Sequence, residues 1–206
     1  MYAVVENNNI TQFINYPKSI VIADVRYPAK IFTMWSKAEK EAIGIYEIIT
    51  DSTNYKDPAY YNNTNEQYSF ANNQVTKSWG TATPKRLEDE NAVDEDGNPV
   101  LQDGVQVINY GLKTEKKKIV KQQASGLLAP TDWYVVKSTE VADYDVPANI
   151  LSFRADVRTK SNEMETMINN CTTVDELKAL YEYTNTGTEQ NPVMTRLLPE
   201  FPKEVI

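Results

Sequence analysis

Ile150, Val157, Met164 and Cys171 recur every seven residues, with Phe153 and Met167 between them. Only a helix collects such a series on one face, because its side chains realign every two turns. Roughly three heptads are marginal for an independent coiled coil, so the stripe predicts one arm of a helical hairpin. Pro147 suits the first position of that helix, where its missing N–H would have no intrahelical partner anyway.

The other arm precedes it. From Gly111 onward, Leu112, Ile119, Val120, Ala124, Leu127 and Leu128 recur at helical spacing, and five lysines between Lys113 and Lys121 occupy other positions as a solvated face. "APTDW" then stops and restarts the chain. Thr131 is placed to be an N-cap, and Asp132 in the first turn suits the helix dipole. Trp133 is expected to pack back over Leu127 and Leu128 as a clasp. A fully buried ring there would cost about 3–5 kcal/mol if cut to alanine. Thr173 and Glu176 form a capping box opening a last helix. The tail "PVMTRLLPEFPKEVI" carries three prolines, so it should be extended with its apolar residues laid on a surface.

The first third reads as β. Tyr2–Val5 and Ile10–Ile14 flank "ENNN", a hairpin signal because asparagine tolerates positive φ. Ser19–Val25 reads as a further strand and Ile45–Thr50 as another. Ser36 with Glu39 is a capping box and Gly44 a stop, giving a short helix over Lys37–Ile43. A second hairpin turns at Asn72-Asn73. Alternation sets Tyr68 and Phe70 on one face and Val75 and Lys77 on another.

Between Glu88 and Asp103 stand seven acids and no base, a solvated loop with Asp96-Gly97 as a turn and "PVLQDGVQVI" as a short strand. Asp94, Asp96, Gly97 and Asp103 resemble part of an EF-hand loop, but Ala92 holds the first ligand position and no helix flanks them. The segment reads as a solvated acidic loop.

Chemistry is hard to place. There is no histidine, hence no imidazole base or metal ligand, and the lone Cys171 lacks an activating partner. It reads as a small buried hydrophobe. No phosphate-binding glycine motif occurs among seven glycines. A net charge of −8 argues against nucleic acid and anionic membranes. No apolar run approaches the roughly 18 residues of a membrane span, and the start of the sequence does not read as a signal peptide. The expectation is therefore no catalytic site, no metal and no cofactor. The tyrosine-rich stretch Tyr55–Tyr68 offers polar aromatic surface for a sugar or a protein.

The run "LLAPTDWYVVKSTEVADYDVPANILSFRADVRT", followed by "CTTVDELKALYEYT" and "RLLPEFP", resembles the C-terminal part of tailed-bacteriophage tail proteins, a group of tail-fibre assembly and virion structural proteins. Leu127, Leu128, Thr131, Asp132, Trp133, Val146, Pro147, Phe153, Arg154 and Arg158 carry the pattern. The likeness is most specific over Leu127–Tyr183. "MYAVVENNNITQFIN", "MWSKAEKEAIGIYEI" and "YSFANNQVTKSW" resemble the front half of such proteins. Where assembly proteins of that group close on Trp-Pro, this chain has Phe201-Pro202.

The expected fold is α+β: a β-rich module over residues 1–87 with one short helix, an acidic linker over 88–110, a helical module over 111–184, and an extended tail over 185–206. The resemblance implies a non-enzymatic virion component of the tail (fibre, adaptor or baseplate), made in the host cytoplasm. Its partners would be other tail or fibre subunits, in multiple copies or as a homo-oligomer, without nucleic acid or membrane. Trp133, Phe153, Arg154, Leu127, Leu128 and Pro147 are the candidate structural and interaction residues. The alternatives are an assembly chaperone absent from the finished particle and a glycan-binding adhesin module.

Overall fold

A computed structural model describes residues 1–203. The fold is α+β, and the chain divides into two compact units, one over Met1–Pro84 and one from Lys85 onward. No helix among the described residues is long and apolar enough to cross a membrane.

In the first unit, β1 (Tyr2–Glu6) and β2 (Asn9–Ile14) form the expected hairpin, with Asn7 and Asn8 at φ 51° and 62°. Ser19–Val25 is not one strand. It bends at Ala23-Asp24 (φ 46° and 63°) into a second hairpin of β3 (Ile20–Ile22) and β4 (Val25–Tyr27). Alanine is an uncommon residue at positive φ, and Asp24 is the one local signal that marks that turn. Two short helices follow rather than one, α1 (Ile31–Met34) and α2 (Lys37–Glu41). The Ser36–Glu39 capping box is present at the start of α2, and Gly44 at φ 81° lies beyond its end.

Next come β5 (Ile45–Thr50), β6 (Tyr61–Asn62), β7 (Gln67–Ala71), β8 (Gln74–Ser78) and β9 (Thr83–Pro84). The main sheet runs β2-β1-β5-β8-β7, and only the β5–β8 pair is parallel. β1 is buried on both faces. Val4 joins Ile14, Ile31, Phe32 and Ile45 on one side, while Ala3 and Val5 meet Val75 on the other. The Asn72-Asn73 hairpin forms, but its register sets Tyr68 opposite Lys77 and Phe70 opposite Val75. Opposed residues share a face, so the expected division into two faces is corrected.

The second unit opens with the acidic segment, which is built into this unit rather than linking the two. β10 (Glu90–Asn91) pairs with β13 (Ile108–Asn109), and between them β11 (Leu101–Gln102) pairs with β12 (Val105–Gln106) around Asp103-Gly104. The Asp94 carboxylate accepts from the backbone N–H groups of Asp96 and Asn98, at 3.0 and 2.8 Å. It is thus committed to holding the turn at Gly97.

α3 (Leu112–Leu128) begins at Gly111, which has no side chain to cap it. The cap comes from the segment before the arm. Asp89 accepts from Gly111 N–H at 2.7 Å and from the Thr114 hydroxyl at 2.9 Å. Leu112 and Lys113 donate to the carbonyls of Arg86 and Leu87. The first-turn amides of a helix otherwise lack partners, so this loop replaces a local N-cap.

The Gly111 amide, assisted by Thr114, holds the Asp89 carboxyl below the usual aspartate range despite some desolvation. The unfolded carboxyl titrates at about 3.9, so its contribution to stability is fully present above that pH. It is lost as pH falls through the lower folded value. Asp89→Asn should therefore flatten the acid limb of a melting-temperature profile between about pH 5 and pH 2. An unchanged limb would mean that Asp89 contributes nothing to acid sensitivity.

After a single 3-10 turn come α4 (Asp132–Glu140), α5 (Ala148–Asn170) and α6 (Val174–Ala179). Pro147 is the residue before α5 rather than its first, with ψ 137°. α3 and α5 run antiparallel: Lys117 reaches Asn169, Lys121 reaches Glu165, and Leu128 meets Arg154. Ile150, Phe153, Val157 and Met164 are buried as the heptads require. Ile168 is fully buried and Met167 only partly, so the inner stripe there is displaced by one residue. Ile119 on α3 is likewise exposed. Straight helices drift relative to a strict seven-residue repeat, which moves the inner face over three heptads.

Cys171 is buried at the end of α5, and burial, with Glu176 nearby, raises its thiol pKa. The Thr173–Glu176 capping box opens α6 as expected. The tail folds back on its own unit. β14 (Thr184–Asn185) pairs with β15 (Met194–Thr195), and buried Leu198 donates its amide to the Leu180 carbonyl at 2.9 Å. Residues 204–206 of the expected tail lie outside the described residues.

Candidate interaction site

The junction between α3, α4 and α5 gathers most of the residues singled out in the sequence. Leu127 and Leu128 pack against Ala124, Phe153 and Val157, and the aromatic ring that joins them there is Phe201 from the tail. Trp133 does not. It is 51% exposed and lies against the adjacent Tyr134 with ring centroids 3.9 Å apart. The expected Trp133 clasp is therefore corrected. Helical geometry explains the outcome: Asp132 is held against Arg154, which directs the next residue around the helix and away from α5.

Arg154 is the clasp. Its residue is only 8% exposed, on the inner face of α5. Nη1 donates to the Leu128 carbonyl (3.1 Å) and the Thr131 hydroxyl (2.5 Å), and lies 2.8 Å from Asp132 Oδ1. Thr131, fully buried, makes no capping bond. Its hydroxyl donates to the Leu128 carbonyl at 2.7 Å while accepting from Arg154. One guanidinium thus meets an end carbonyl of α3, the turn and the first residue of α4. The Thr131-Asp132 pair is the complement of Arg154, a pairing across 23 residues that spacing alone does not reveal.

α4 itself buries none of its nine residues. Trp133, Val135 and Val136 are exposed on it, and Val141 is exposed just beyond. The Lys137 ammonium lies 5.7 Å from the Trp133 ring and 4.2 Å from that of Tyr144, within cation–π range. A helix with no buried residue gains little from its own unit, and contiguous exposed apolar side chains mark interaction surfaces.

In the tyrosine-rich stretch of the first unit the rings divide between core and surface, with Tyr55 exposed. Tyr60 and Tyr61 are buried, while Tyr55 packs on Trp79 and Tyr68 on Phe13.

A scan against protein-family models finds no match, and comparisons with curated proteins and with solved structures find none either.

Proposed function

We propose that this protein is a non-enzymatic structural component of a bacteriophage tail, working by docking onto neighbouring tail or fibre subunits through α4. The resemblance over Leu127–Tyr183 supports the phage assignment. The docking assignment rests on one observation: α4 exposes Trp133 and Val136, each 51% accessible, and buries nothing. Large aromatic side chains dominate binding energy at interfaces when a partner covers them. Arg154 and Thr131 serve this function indirectly, by fixing where α4 leaves α3.

The test is quantitative mass spectrometry of purified particles, with copy number set against a known tail protein. Stoichiometric presence supports the reading. Abundance in infected-cell lysate with absence from particles overturns it in favour of an assembly chaperone. Trp133→Ala sharpens the test. It should change folding stability by less than about 1 kcal/mol, because an exposed ring has little to lose. Incorporation into particles should fall. A large loss of stability, read by urea denaturation, would return Trp133 to a core role.

A further inference from the structure

The arm from Glu90 to Asn109 has almost no core of its own: Ala92 is its one buried residue. Val93, Leu101, Val105 and Ile108 are exposed along it, beside the acids Glu95, Asp96 and Asp103. Yet the arm is ordered from within. The Gln106 side-chain amide donates to the carbonyls of Ala92 and Val107, both at 2.8 Å, and Asp94 holds the turn. A preformed surface loses little conformational freedom on binding. Its exposed apolar residues remain in water until something covers them.

The same unit carries the complementary surface. A groove of about 420 Å³ between α3 and α5 is lined by Lys121, Arg154, Arg158 and Ser161, and it meets α4 at Asp132. Arg154 is committed to Asp132, and Lys121 lies 3.4 Å from Glu165. Arg158 donates to the Arg154 carbonyl at 3.3 Å and has no carboxylate partner among the described residues. The groove thus holds one cation without a carboxylate partner among the described residues and ends on α4 at Asp132. With the exposed apolar residues of α4, it complements an arm that combines acids with exposed valine and leucine.

Building on the docking role of α4, we infer that the arm of one copy seats on the groove and α4 face of a second copy. Arg158 then meets the acids of the arm, and Leu101 and Val105 cover Trp133 and Val136. Because arm and groove are different surfaces, the contact joins copies head to tail, closing into a ring or extending as a filament.

Sedimentation velocity of the full chain tests this across a range of concentrations. The wild-type chain is expected to associate, and to dissociate as salt is raised. A Leu101→Lys, Val105→Lys double variant and an Arg158→Glu variant each raise the dissociation constant at least about tenfold, since apolar cover and complementary charge are removed. All the substituted residues are exposed, and circular dichroism verifies that each variant folds. Mixing the two variants pairs one intact arm with one intact groove and yields a dimer that grows no further. A wild-type chain that stays monomeric, variants that associate like wild type, or a mixture that stays monomeric each overturn the inference. A monomeric chain that still enters particles overturns self-docking alone. Absence from particles overturns the docking function of α4 in the tail.

Discussion

Gly111→Ala is expected to destabilise the protein by on the order of 3–5 kcal/mol, whereas Gly126→Ala in the same helix should stabilise it by about 0.5–1 kcal/mol. A Cβ on Gly111 would stand 2.3 Å from the Glu88 carbonyl oxygen and 2.5 Å from that of Leu87. Both are backbone atoms of the segment that caps α3. Relieving the clash moves that segment and weakens the bonds to Asp89, Arg86 and Leu87 together. Gly126 meets nothing within 4 Å of its added Cβ, so there alanine only reduces the freedom of the unfolded chain. Urea denaturation of both variants reads the difference. Stabilisation at both positions would mean that the 86–89 segment does not pack on α3 as described, and destabilisation at both that Gly126 is not in open space.

Arg154→Met should cost about 2–3 kcal/mol, although methionine keeps most of the aliphatic stem that packs inside. The loss arises from what the guanidinium leaves behind. Fully buried Thr131 keeps its donated bond to Leu128 but loses the donor it accepts from, and that carbonyl loses a charged partner. Removing a cation from the C-terminal end of α3 also forfeits a favourable dipole interaction. Asp132→Asn provides the contrast. Its side chain is 59% exposed, so water can replace Arg154, and the expected change is below about 1 kcal/mol. Equal effects from the two substitutions would show that the ion pair, not the hydrogen bonds to Thr131 and Leu128, holds the junction.

Both predictions depend on partners distant in sequence, and the same division separates what was legible from what was not. Signals confined to a few residues read through directly. The Asn7-Asn8 and Asn72-Asn73 turns, the capping boxes at Ser36 and Thr173, and the heptad stripe of α5 each encode a local conformation that needs no distant partner. The Ala23-Asp24 turn was hard to read because Asp24 is its one turn-forming residue and apolar residues flank it on both sides. At the candidate site, Arg154, Leu127, Leu128 and Phe153 are residues the sequence names, and the structure gathers them at the α3–α5 junction. Phe201 took the place expected of Trp133, and Arg154 took the holding role.

The sequence by itself determined an α+β chain with two asparagine hairpins, a long amphipathic helix and no histidine chemistry. Backbone preference and side-chain period act within one or two turns, so these features survive any tertiary arrangement. The tertiary structure alone decided which apolar side chains are covered. Trp133 and Phe201 are equally hydrophobic candidates for one surface between α3 and α5. Contacts between residues distant in sequence decide it: Asp132 lies on Arg154 with Trp133 pointing outward, Phe201 covers the surface between α3 and α5, and the α4 face stays exposed.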